Sequence, residues 1–229
     1  MMPFVFGILG AICGSFLDVL ALRYRPDKPL FGRHTLGGRS KCSTCGHALS
    51  WFELIPVASF LIQRGRCRAC DARIPLENIL IEIVSAAIFT FVPWAVMSNG
   101  IYLHGTPIQM WMLSAIWTAA FLVLLLVTLI DIRHSIIPDE ANVVLIVIGF
   151  VLAYVEGTTL LTSHRSFMGA YGFLFGATGL YGIGGVLLNR LIGVVVAGGL
   201  FGALVALTRG RGMGMGDVKL LAGIGGWLG

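Results

Sequence analysis

Residues 108–131 read IQMWMLSAIWTAAFLVLLLVTLID. The first 23 residues of this stretch carry no charge, and about 20 apolar residues suffice for a helix to cross a bilayer. Further apolar segments lie at 3–22, 79–98, 141–158, 167–188, 191–207 and from 217 to Gly229. Hydrophobic residues make up 57% of the chain and charged residues only 12%, whereas soluble domains carry about 25% charge. The sequence therefore predicts an all-α polytopic membrane protein with about six to eight transmembrane helices.

A polar segment, residues 23–78, separates the first two apolar segments and holds 10 of the 16 basic residues. Basic loops stay on the cytoplasmic side, so we expect this segment in the cytoplasm and the N-terminus outside. Counted from there, Asp131 falls at the cytoplasmic end of the third span. Nucleic-acid binding is the other interpretation of a basic segment. The topology rule already accounts for the charge, so no nucleic-acid partner is predicted.

The cysteines of this segment form two C-x-x-C pairs, at Cys42, Cys45, Cys67 and Cys70. Four thiolates in paired turns are typical of a tetrahedral zinc site, and structural disulfides are disfavoured in the cytoplasm. Redox-active pairs are the alternative. The predicted domains are a first transmembrane helix at 1–22, a cytoplasmic zinc-ribbon-like module with this four-cysteine site at 23–78, and a multi-span membrane domain at 79–229.

Residues 51–57, between the two cysteine pairs, are apolar but too short to span a membrane. They form either the core of the module or a surface that docks on the bilayer. Trp51 is a candidate anchor at the membrane interface.

Two aspartates stand at the ends of apolar segments. Asp131 ends the stretch quoted above, and Asp217 opens the last segment behind the glycines of GMGMGD at 212–217. An acid at mid-bilayer costs about 2.5–3.5 kcal/mol on insertion scales, so such acids are usually functional. Two carboxylates, one ionised and one protonated, can hydrolyse a peptide bond. Gly214 and Gly216 let the backbone approach a substrate or take positive φ; a simple hinge before a helix is the alternative.

Other charged residues also lie near span ends. Asp139 is interpreted as a helix cap or a supporting residue of the site. Glu82 is interpreted either as an ion-pair partner of Arg73 or as lining of the site. Asp18 is predicted to pair with Arg23 or Lys219. Lys219 either extends to the cytoplasmic face or balances the charge of the two aspartates.

Several motifs follow one another in a fixed order along nearly the whole chain. They are 14–19 with 23–26, both cysteine pairs, 49–57, 64–68, 74–82, 131–139 and 214–221. In these motifs the chain resembles the type IV prepilin peptidases, bifunctional leader peptidases and N-methyltransferases of bacterial type IV pilus and type II secretion systems, whose aspartic protease motif is GxGD.

The resemblance implies a function for these motifs. It assigns the catalytic dyad to Asp131 and Asp217, with prepilins or pseudopilins as substrates that carry a basic leader and a hydrophobic N-terminal helix. Cleavage after glycine is implied, at the cytoplasmic face of the bacterial inner membrane. It also implies S-adenosylmethionine as the donor that methylates the new N-terminus.

Three departures from the family stand out. The family usually has Asn at the position of Asp18, and the interval from Asp131 to Asp217 is longer than usual. The chain also ends at Gly229, inside the span that Asp217 begins, which predicts that closing helices are missing.

The two aspartates share a membrane face only if an even number of crossings separates 141 from 211. Three apolar segments lie there. The glycine-rich segment 167–188 is the weakest candidate, because glycine disfavours helix, and we expect it to be a re-entrant or periplasmic hairpin.

Two other functions remain open. The chain is alternatively a non-catalytic zinc-binding membrane scaffold of a pilus or secretion assembly, or a small transporter whose intramembrane acids bind ions. Sensitivity to loss of the cysteines alone favours the scaffold, and acid-dependent ion flux favours the transporter.

Overall fold

The computed structural model describes residues 2–98, 106–162, 183–209 and 214–228, and this part of the chain is helical with connecting turns. The helices are α1 (Met2–Arg23), α2 (Arg33–Leu36), α3 (Ala58–Ile62), α4 (Leu76–Ser98), α5 (Pro107–His134), α6 (Asp139–Thr162), α7 (Ile183–Thr208) and α8 (Met215–Leu228), with a 3₁₀ turn at Trp51–Leu54. The all-α class is confirmed. In a bilayer the helix satisfies every backbone hydrogen bond within one segment, which explains why apolar runs of this length fold this way.

Four of the described helices are long and apolar enough to cross a membrane. These candidate spans are Pro3–Arg23, Leu76–Ser98, Pro107–His134 and Gly184–Thr208. The chain is therefore a multi-pass membrane protein. The total of six to eight spans stays a prediction, because much of 167–188 lies outside the described residues.

The junction predicted between 188 and 191 was wrong. Helix α7 runs without a break from Ile183 to Thr208 and so includes Asn189 and Arg190, which interrupt the apolar pattern in the sequence. Both side chains are buried, and the Arg190 guanidinium donates to the Glu156 carboxylate at 2.5 Å. A buried charge is tolerated when it is paired and hydrogen-bonded, and the partner on α6 keeps this polar dipeptide inside a helix.

The chain divides into two compact units. The first comprises Met1–Val92 and Leu124–Ser135, and the second comprises Pro93–Val123 and Ile136–Gly229. In the first unit α1 packs closely on α4 through glycine. A Cβ added to Gly10 would lie 2.7 Å from the Ala86 Cα, and one added to Gly14 would lie 2.7 Å from the Ser85 Cβ. Small residues let membrane helices approach in this way, as the glycine content predicts.

In the second unit α6, α7 and α8 pack against one another through backbone contacts at glycine. A Cβ on Gly149 of α6 would lie 2.5 Å from the Gly226 oxygen, and one on Gly225 would lie 2.4 Å from the Gly193 oxygen. The contact partners are main-chain atoms, which cannot swing aside. Glycine at these positions therefore sets the distance between the three helices.

Replacing Gly225 with alanine is expected to destabilise the second unit by about 1–3 kcal/mol, the usual penalty for overpacking. The matched control is Gly199→Ala on α7, where an added Cβ meets no atom within 4 Å. Because alanine is the better helix former, this control should stabilise α7 by about 0.5–1 kcal/mol. Thermal unfolding in detergent, followed by circular dichroism, measures both. Shifts of the midpoint in the same direction would contradict the packing described here.

Candidate functional site

The two cysteine pairs sit in turns of the same backbone geometry. In each, the N–H of the first cysteine donates to the carbonyl five residues further on, at 2.9 Å from Cys42 and 2.8 Å from Cys67. The residue after the second cysteine takes positive φ in both turns, 72° at Gly46 and 56° at Asp71. Glycine and aspartate tolerate this conformation, as their positions in the sequence predict. Each turn thereby directs two thiols to one side.

The four thiols form a single cluster that can hold a metal ion. The Sγ atoms of Cys42, Cys45, Cys67 and Cys70 all lie within 4.8 Å of one another. The separation of the Cys42 and Cys70 sulfurs is 4.0 Å, close to the S···S edge of about 3.8 Å that four Zn–S bonds of 2.3 Å produce in a tetrahedron. All five cysteines are free thiols, and Cys13 of α1 is not part of the cluster.

The local backbone favours the thiolate form at one position of the cluster. Hydrogen bonds from the N–H groups of Cys45 and Thr44 lower the pKa of Cys42 to about 6. Thiolates, rather than thiols, are the ligands of zinc. The donor set and its spacing therefore fit a structural zinc ion.

Glu53, between the two cysteine turns, is a buried acid that the sequence did not single out. Its Oε2 accepts from the Ser50 N–H at 2.8 Å, which completes a capping box on the 3₁₀ turn, and lies 3.7 Å from the His47 Nε2. The Ser50 hydrogen bond, followed by the nearby His47 charge, holds the pKa of Glu53 below its usual value. Its other oxygen, Oε1, is buried and accepts no hydrogen bond from the residues described.

The apolar segment between the cysteine turns lies largely on the surface. Trp51 is 78% exposed, and Leu61 and Ile62 of the adjoining helix α3 are 66% and 79% exposed. Of the two interpretations left open by the sequence, a docking surface agrees with this exposure for Trp51, and a core does not. The module therefore lacks a large apolar core of its own.

Two acids within the candidate spans of the first unit, Asp18 and Glu82, have partners far away in the sequence. Asp18 pairs with Arg133 of α5, at 2.5 Å between Oδ1 and Nη2, so the predictions of Arg23 and Lys219 were wrong. Glu82 accepts from the N–H of Val57 at 2.7 Å and lines a cavity in the first unit, and its place beside the catalytic aspartates stays a prediction. The sequence analysis did not identify Arg133 as a partner of Asp18, because Arg133 lies within the 131–139 motif that was assigned to Asp131.

Asp217 lies in the first turn of α8, as the sequence predicted. Its Oδ2 accepts a hydrogen bond from the Gly214 N–H at 3.1 Å, so the carboxylate also caps the N-terminus of α8. Positive φ among the described glycines occurs at Gly38, Gly46 and Gly65, so it is not the reason for Gly214 or Gly216. Gly216 instead packs against Ile137, where an added Cβ would lie 3.4 Å from the Ile137 Cβ.

Lys219 and Asp139 meet in the second unit. The Lys219 Nζ lies 2.8 and 2.9 Å from the two carboxylate oxygens of Asp139, and both side chains are exposed. Exposed pairs of this kind contribute about 0–1 kcal/mol. The pair therefore joins the start of α6 to the first turns of α8, where Asp217 lies, and adds little to stability.

Asp131 is exposed in the last turn of α5, and the helix closes when the Ser135 N–H donates to the Asp131 carbonyl at 2.7 Å. Asp131 belongs to the first unit and Asp217 to the second. Each therefore has the predicted place at a helix end, and their pairing as a catalytic dyad stays a prediction.

Comparison with known proteins gives matches over most of the chain. Residues 8–96 match the bacterial peptidase A24 N-terminal domain, and residues 118–229 match the type IV leader peptidase family. A prepilin leader peptidase/N-methyltransferase of Vibrio cholerae is 27% identical over 73% of this chain and 62% of its own length. One of Aeromonas hydrophila is 30% identical over 83% of this chain and 54% of its own length.

A type 4 prepilin-like proteins leader peptide-processing enzyme of Escherichia coli is 26% identical over 100% of this chain and 77% of its own length. No solved structure matches the chain. The chain thus spans little more than half the length of several curated relatives. The N-terminal domain model covers the cysteine module, and the leader peptidase model covers both aspartates. On this evidence the chain belongs to the type IV leader peptidase family (peptidase A24).

Proposed function

We propose that this chain is a membrane aspartic endopeptidase that cuts the basic leader from prepilins or pseudopilins after glycine. The main support is that Asp131 and Asp217 both fall within residues 118–229, the part that matches the type IV leader peptidase family. The relatives named above are leader peptidases, which supports the same substrate class. The substrate helix would remain in the bilayer while its leader reaches the membrane edge.

The chemistry needs one ionised and one protonated carboxyl group. Like charges held close together cannot both ionise, so a pair shares one proton. We assign the base to Asp217, because it lies in the first turn of α8, where the helix dipole favours an anion. Asp217 takes a proton from water as the water oxygen bonds to the scissile carbonyl carbon, and Asp131 gives its proton to the carbonyl oxygen. In the collapse, one hydroxyl proton of the tetrahedral intermediate returns to Asp131, the C–N bond breaks, and the leaving amine takes the proton that Asp217 holds.

Zinc is the proposed cofactor of the cysteine module, bound by Cys42, Cys45, Cys67 and Cys70. The ion would hold the two cysteine turns together and has no assigned part in peptide hydrolysis. Its role is structural, because four protein thiolates leave no coordination position open for substrate.

S-adenosylmethionine is the second proposed cofactor, and the names of the relatives support it. When bound, it supplies a methyl group whose C–S bonding electrons stay with sulfur while the amine lone pair forms the new N–C bond. The amine loses one proton in the same reaction.

We place the protein in the bacterial inner membrane, with the N-terminus outside and the site at the cytoplasmic face. The basic residues concentrated in 23–78 support this orientation under the positive-inside rule. The lipid bilayer and the prepilin are then its partners.

The first experiment incubates the purified chain in detergent with a prepilin and separates the products on a gel. The proposal predicts a shortened product whose new N-terminus, read by mass spectrometry, begins after glycine. An unprocessed prepilin, under conditions in which a longer relative cleaves it, would overturn the proposal for this chain and favour the scaffold.

A further inference from the structure

A cavity of about 630 Å³ lies within the first unit and has no role in the mechanism above. Helices α1 and α4 and the cysteine module enclose it. Cys42 and Cys67 contribute to its wall, so the metal cluster borders the cavity directly. Cavities of about 300–1,000 Å³ are the usual size for small-molecule and cofactor sites.

The wall combines three kinds of group. Lys41 and Arg73, which flank the two cysteine turns, bring positive charge, and Glu53 and Glu82 bring negative charge. Apolar side chains such as Phe60 complete the lining. A ligand that matches such a wall carries an anionic group, hydrogen-bond donors or a cation, and a flat apolar part.

Glu53 contributes a specific indication of a ligand. Its Oε2 is held by the Ser50 N–H, whereas Oε1 is buried without a hydrogen-bond partner among the described residues. A buried acceptor left unpaired costs about 1–3 kcal/mol, and more when charged. Because Glu53 forms part of the cavity wall, a hydroxyl or ammonium group of a ligand can satisfy this oxygen after a small shift of the side chain.

We propose that this cavity is the binding site for S-adenosylmethionine, with Glu53 Oε1 accepting from a hydroxyl or ammonium group of the donor. The inference rests on the proposed function and gives a location for its second reaction, the methylation of the new N-terminus. The donor's carboxylate suits Lys41 or Arg73, and its adenine suits the apolar lining. Arg133, also in the wall, lies two residues beyond Asp131 on α5, about 3 Å along the helix axis.

The test measures binding of S-adenosylmethionine to the zinc-loaded full chain in detergent by isothermal titration calorimetry. Glu53→Gln is the informative variant, because glutamine keeps an oxygen for the Ser50 N–H and places an NH₂ group where Oε1 was. We expect affinity to fall at least about tenfold, the effect of losing a hydrogen bond to a charged group. Asp27→Asn, which removes an exposed acid of the same loop outside the cavity wall, should leave affinity unchanged.

Two further measurements make each outcome decisive. Zinc content shows whether Glu53→Gln keeps the module folded; if it does not, photolabelling of the parent with an azido analogue of S-adenosylmethionine replaces the variant. Label in peptides from 15–82 supports the site. Label confined to the second unit overturns it, as does equal binding by the parent and a folded Glu53→Gln variant.

Prepilin cleavage is assayed on the same sample. Cleavage without any binding rejects this inference and leaves the peptidase standing, whereas loss of both rejects the proposed function itself.

Discussion

Asp217→Asn and Asp131→Asn should each reduce prepilin cleavage by at least about 10³-fold, since each removes one half of a proton-transfer pair. Asparagine is preferred to alanine at 217 for a structural reason. In the structure the Asp217 carboxylate accepts a hydrogen bond from the Gly214 N–H, and the side-chain oxygen of asparagine can accept the same bond. The start of α8 is thereby kept, and the change tests the charge and proton chemistry alone.

The control for both variants is Glu140→Gln, an exposed carboxylate at the start of α6. It should cleave prepilin at the parental rate, because it removes a charge without touching either aspartate. Initial rates are measured at equal concentrations of membrane-inserted protein, with zinc content as the check on folding. Cleavage within tenfold of the parent by a folded Asp131→Asn or Asp217→Asn variant would rule out the dyad.

Removing the metal should unfold the cysteine module while leaving the membrane helices intact. The module has two isolated β-bridges, one 3₁₀ turn and short helices, and its large apolar residues such as Trp51 and Ile62 are exposed. Such a segment cannot fold on apolar burial alone. Binding of a structural zinc ion contributes about 10–16 kcal/mol to the folding of small zinc domains. Its loss should therefore lower the stability of the module more than any single substitution.

Cys67→Ser is the variant of choice, because Cys67 is the buried member of the cluster. We expect it to abolish binding of one zinc ion per chain and to open residues 39–75 to protease. Cys13→Ser, in α1 and outside the cluster, should leave metal content and protease resistance at parental values. Elemental analysis and limited proteolysis of the same preparations provide the readout. A zinc-free Cys67→Ser protein with the parental digestion pattern would contradict a structural role for the ion.

Much of the architecture follows from local pattern. The run ending at Asp131 and the runs of α1 and α4 are apolar over a full membrane thickness, and a bilayer leaves such segments few alternatives to helix. The cysteine spacing indicated the cluster in the same way, because two turns with the same spacing impose nearly the same backbone. The family resemblance, drawn from those motifs, is confirmed by both family models.

The failures share a physical cause, which is pairing between residues far apart in sequence. Arg133 is 115 residues from Asp18, its partner in the first unit, and nothing local indicates that contact. The break predicted between 188 and 191 was wrong because Arg190 pairs with Glu156, which lies 34 residues earlier on α6. The missing hydrogen-bond partner of Glu53 Oε1 likewise depends on the residues around it, so the sequence does not indicate it. The position of Asp217 relative to Asp131 also depends on tertiary structure, and for that reason the dyad remains a proposal.

The ion pair between Glu156 and Arg190 has a consequence for biosynthesis. Glu156 leaves the ribosome 34 residues ahead of Arg190, which at 5–20 residues per second is a delay of about 2–7 s. Helix α6 is not among the candidate spans of the described residues, whereas α7 is one of them. Because an acid within a span costs about 2.5–3.5 kcal/mol, we expect α6 to enter the lipid only once α7 supplies Arg190.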